Sequence, residues 1–133
     1  MKSILAGAAL TGCLFFAGCA AMADTAGELE YTHRCSACHG MTGQGDGSLA
    51  DLMTVEVPDL TRISQRNDGE FPMLHIIEVI DGRSDIRAHG VPMPVWGDRF
   101  SIEIAPETSE YGAELIVRGR ILALATYLQS IQQ

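Results

Sequence analysis

Cys35-Ser36-Ala37-Cys38-His39 is the stretch of this 133-residue chain on which every other reading depends. Two thiols separated by two residues can add across the two vinyl groups of a haem, and a histidine directly after them is placed to ligate the iron. The cofactor expected is one covalently attached haem c, held by Cys35 and Cys38, with His39 as an axial ligand. Three other readings of the two cysteines compete. A zinc knuckle wants a fourth ligand and usually a second CxxC or HxxxH pair, and the remaining cysteines, Cys13 and Cys19, lie in the apolar N-terminal stretch. A thioredoxin-like redox pair sits at the end of a strand in a βαβ pattern, and no such pattern surrounds Cys35. A disulfide between cysteines three apart closes too short a loop to constrain the chain.

The N-terminus sets the compartment. Lys2, the apolar run 4–17 and the small-x-small triplet Ala21-Met22-Ala23 read as an export signal over residues 1–23. The run is short for a membrane span. Phe16-Ala17-Gly18-Cys19 also resembles a bacterial lipobox, in which Cys19 would carry lipid; Leu10-Thr11-Gly12-Cys13 has the same form after a shorter apolar core. Both readings place the product in the periplasm, soluble or lipid-anchored, with membrane contact only through that anchor. Residues 24–133 then form one small domain. The chain carries a formal charge of −8, and from Asp24 onward its cations are all arginine. Such an acidic surface argues against nucleic acid and against an anionic membrane face, and directs steering toward a basic or neutral patch on a redox partner.

Along the domain, residues 25–37 read as a helix delivering the cysteines at its C-terminal end. Gly43-Gln44-Gly45-Asp46-Gly47 reads as a turn. Asp59 is placed to cap a short helix to about Arg66. Phe71-Pro72 opens another, with Leu74, Ile77 and Ile80 at core spacing and Gly82 as its C-cap. Residues 83–107, with three prolines and little periodicity, read as a long loop. From Thr108 or Ser109 to Ile131, Leu115, Ile116, Leu122, Leu124, Ala125 and Leu128 mark a long terminal helix, weakened by Gly119. Nothing reads as a strand pair.

Histidine on one side of an iron leaves the opposite side to fill, and Met93 in Val91-Pro92-Met93-Pro94-Val95-Trp96 is the candidate. A thioether is a weak, soft ligand, so its loop must be held by something else, and a proline on either side does that. Met41, Met53 and Met73 are weaker rivals. His89 is the main nitrogen competitor, ahead of His75, and His33 reads as exposed. Arg62, Arg83 and Arg87 are candidate partners for haem propionates, since a guanidinium suits bidentate carboxylate recognition. Trp96 reads as lying against the porphyrin with its N–H toward a propionate. The Pro58 carbonyl is a candidate for the second nitrogen of His39.

With these residues in view the chain resembles the class I cytochromes c. The likeness rests on Gly27 and Tyr31 before Cys35-x-x-Cys38-His39-Gly40, on the glycine turn at 43–47, on Pro58-Asp59-Leu60, on Met93-Pro94 and on Tyr127-Leu128 in the last helix. It implies a mostly α, cytochrome c-like fold, with helices wrapped around the haem and the first and last crossing at Gly27 and Tyr127. The longer stretch between His39 and Pro58 and the segment 98–107 depart from the pattern. The function implied is single-electron transfer between redox proteins, not catalysis by this chain alone. A subunit of a larger dehydrogenase or oxidase, and a haem sensor or peroxidase-like protein with an open sixth position, are the alternatives.

Overall fold

Residue 27 is where the two longest helices touch. In the computed structural model, which describes residues 17–83 and 93–133, helix α1 (Ala17–Arg34) packs along the terminal helix α5 (Glu110–Ser130). A Cβ built at Gly27 would fall onto the Ala123 carbonyl oxygen and 2.7 Å from Tyr127 Cβ, so the approach depends on the missing side chain. One turn on, Tyr31 lies against Tyr127, ring centroids 5.2 Å apart. The crossing at Gly27 and Tyr127 is the one the resemblance implies.

The expected helix over 25–37 is split. It breaks at Cys35 and restarts as the single turn α2 (Ser36–His39), whose Cys38 and His39 amides both donate to the Cys35 carbonyl. A helix end leaves carbonyls unsatisfied. The glycine turn supplies their donors: Gly45 N–H to His39 O at 2.8 Å, Gly47 N–H to Cys38 O at 3.1 Å and Leu49 N–H to Ala37 O at 2.8 Å. Short 3₁₀ turns follow at Ala50–Leu52, Leu60–Arg62 and Gln65–Asn67. Asp59 caps the second as expected, accepting from Thr61 N at 2.9 Å and from its hydroxyl at 2.6 Å.

Helix α3 (Met73–Asp81) begins after Pro72 and stops at Gly82, whose positive φ of 67° turns its amide back to Glu78 O. Its inner face is Met73, Ile76, Ile77 and Ile80, while Leu74 is 78% exposed. The stripe starts one residue earlier than expected because i, i+3, i+4, i+7 fits Met73 and leaves Leu74 a quarter-turn away.

The loop expected over 83–107 is corrected by helix α4 (Trp96–Ile104). Trp96, Phe100 and Ile104 recur every four residues and are all buried. Pro94 and Pro106 flank this helix rather than interrupt it, so the proline count misled. Helix α5 begins where expected, Ser109 Oγ accepting from Gly112 N at 3.2 Å. Its buried face, however, is Ala113, Val117, Ile121, Leu124, Ala125 and Leu128, with Leu115, Ile116 and Leu122 exposed. Among the described residues there is no strand, and no helix is long and apolar enough to cross a membrane. The architecture is mostly α.

Candidate functional site

Helices α1, α2, α3 and α5, with the segments 49–63 and 93–99, line a half-open cavity of about 620 Å³. That size suits a cofactor-scale ligand. Cys35, Cys38 and His39 enter it together from the turn after α1. Leu49, Val55, Val57, Leu60, Ile63, Ile76, Ile80, Leu124 and Leu128 make most of its wall apolar.

The two cysteines are unpaired thiols. Burial pushes Cys35 up from an ordinary 9.0 to about 12, the charges of Glu30 and Cys38 adding to the effect and Arg34 opposing it. A thiol-disulfide catalyst needs the opposite shift, because the thiolate is the nucleophile. Among the described residues no three His, Cys, Asp or Glu side chains converge as a group that could hold a metal ion.

His39 is 9% exposed, and its Nδ1 lies 3.5 Å from the Pro58 carbonyl oxygen, the partner anticipated from sequence. That contact orients the ring. The buried Tyr31 hydroxyl donates to Gly40 O at 2.6 Å and fixes the residue after His39 from behind; burial raises its pKa above the ordinary tyrosine value.

Met93 and Pro94 line the cavity from a different part of the chain. Of the rival methionines, Met41 is 65% exposed and Met73 packs into the core beside α5. Met53 does line the cavity, but on the segment whose Pro58 holds the His39 ring. His75 and His33 are exposed, and neither lines the cavity. His89 and Arg87 lie outside the described residues.

Trp96 is buried and lines the cavity, with Phe100 5.6 Å away and the Arg99 guanidinium 5.5 Å from its ring centroid. The arginines divide between carboxylate pairs and the cavity wall. Arg62 is exposed and pairs with Asp59 at 3.3 Å. Arg83 is held by Asp81 and by Glu114 at 2.7 Å, hydrogen bonds that raise its pKa further. Neither lines the cavity; Arg34 and Arg99 do. Arg34 was legible as the neighbour of Cys35. Arg99 had no assignable face while α4 went unrecognised.

Comparison of the chain with protein-family models, with curated proteins and with solved structures finds no match.

Proposed function

We propose that this chain is an exported monohaem c-type cytochrome of the class I kind, passing single electrons between redox partners in the periplasm. The observation that carries the reading is the convergence of Cys35, Cys38 and His39 on one largely apolar cavity, with Met93 entering it from a distant segment. The donor set fits the group. Two thiols are available for thioether bonds, an imidazole is oriented by Pro58, and a thioether sulfur stands between two prolines in sequence. When bound, the haem supplies a one-electron ferric/ferrous couple.

The chain's own residues divide the remaining work. Cys35 and Cys38 retain the cofactor. The Pro58 carbonyl faces His39 Nδ1 at 3.5 Å, which would leave Nε2 to ligate the iron. Leu124, Leu128, Ile80 and Trp96 exclude water and keep the local dielectric low. His39 and Met93 would hold the iron in both oxidation states, which would leave little to rearrange during transfer and no position for substrate. The acidic surface favours a partner with a basic or neutral docking face.

Intact mass of the exported protein tests the proposal. One haem added to the polypeptide, resistant to acid-acetone extraction, is the expected result. A colourless product at bare polypeptide mass would end the proposal. The same spectrum reports N-terminal processing, separating cleavage after Ala23 from lipid on Cys19.

A further inference from the structure

Segment 98–107, which the family resemblance leaves without a counterpart, folds largely as α4 and sets Glu103 onto Arg34. Arg34 directly precedes Cys35 and lines the cavity. Its Nη1 lies 2.8 Å from Glu103 Oε1, and its Nη2 donates to Oε2 at 3.0 Å, a bidentate clamp. Its Nε is buried, makes no hydrogen bond, and stands 3.9 Å from Glu30. Arg120 closes a ring. It donates to both Glu30 oxygens at 2.6 and 2.9 Å and to Glu103 Oε2 at 3.1 Å, while its guanidinium lies 3.8 Å from the Phe100 ring centroid. Two carboxylates and two guanidinia therefore balance one another across α1, α4 and α5, and Arg34 is the member that reaches the cavity.

We propose that Glu103 is a positioning residue for electron transfer: by clamping and offsetting Arg34 at the cavity wall, it sets the reduction potential of the group that Cys35 and Cys38 hold. The inference rests on the cytochrome reading above. Reduction moves one electron from the donor protein to the iron, ferric to ferrous, so the centre loses one positive charge. A nearby cation favours that change and a nearby anion opposes it. Without Glu103 the ring carries one excess positive charge; without Arg34, one excess negative charge; without both, it is neutral again.

Spectropotentiometric titration of the purified holoprotein at low salt, with ferricyanide and dithionite, tests this. Glu103→Gln is expected to raise the potential, Arg34→Gln to lower it, and the double variant to return close to the parent. Arg34→Lys keeps the charge and is expected to stay near the parent. The shifts should shrink at high salt. Single variants that move in the same direction, a double variant that moves further than either, or haem-loaded variants with unchanged potentials would overturn the role of Glu103 alone. A preparation without covalent haem would overturn the cytochrome reading, and this inference with it.

Discussion

Met93 and Tyr31 matter at the scale of single atoms: a sulfur lone pair of the first is proposed to bind the iron, and the second donates a hydroxyl proton to Gly40 O. Replacing Met93 by Leu keeps an apolar body of similar volume and removes the sulfur. Under the cytochrome proposal the variant should still carry haem, lose the weak absorption at the red end of the ferric spectrum and show a lower reduction potential. An unchanged spectrum would exclude Met93 as the ligand and turn attention to Met53 or His89. Tyr31 donates to the Gly40 carbonyl at 2.6 Å from a position only 1% exposed, so Tyr31→Phe removes the shorter of that carbonyl's two bonds and leaves it only the Gly43 N–H at 3.3 Å. The expected loss is about 0.5–1.5 kcal/mol in denaturant unfolding, with the absorption spectrum preserved. The grouping of Cys35, Cys38 and His39 at the cavity was legible because CxxCH is written in adjacent positions. The arginines were not, because a guanidinium's direction depends on which carboxylate the fold brings near. Arg83 finds Glu114, 31 positions away, and Arg34 finds Glu103, 69 positions away.

Capped helix ends are set locally, whereas helix faces are set by what packs against them. Gly82 and Asp59 stop and start their elements through bonds within a few residues, which is why local sequence suffices. Ser109→Ala should cost about 0.5–2 kcal/mol by removing the Gly112 N–H acceptor at the start of α5, measured by chemical denaturation. A face is harder to assign, because several apolar stripes coexist on one helix and the partner selects among them. On α5 the stripe Val117, Ile121, Leu124, Leu128 is buried, while Leu115 and Leu122 remain outside. Close contact between α1 and α5 makes Gly27 the most sensitive position of the pair. Gly27→Ala puts a methyl onto the Ala123 carbonyl, and separating the helices should cost on the order of 1–3 kcal/mol, read as a lower thermal midpoint of the holoprotein.

The whole molecule is held by pairings between distant segments. Arg83 ties the end of α3 to α5 through Glu114, and the hydrogen bonds from Arg83 and then Arg118 hold the Glu114 carboxyl at about 2, down from an ordinary 4.5. A carboxyl with a depressed folded pKa binds fewer protons than in the unfolded chain. Its contribution is therefore complete above about pH 4.5 and is lost as the pH falls toward 2. Glu114→Gln should lower the denaturant midpoint near neutral pH, and the gap from the parent should narrow through that acid window. A gap independent of pH would show that the pairing adds nothing electrostatic. At the opposite end of α5 the chain terminus is tied to the segment after Pro58, Gln132 donating to Leu60 O at 2.8 Å and Gln133 N to Thr61 O at 2.9 Å. The sequence by itself determined the attachment motif, the helical class and the capped ends, since each is encoded by neighbours within a turn or two. Tertiary structure alone decided which arginines border the cavity, that 96–104 is a helix, and which stripe of α5 is buried, because those outcomes depend on side chains that meet only after the chain has folded back on itself.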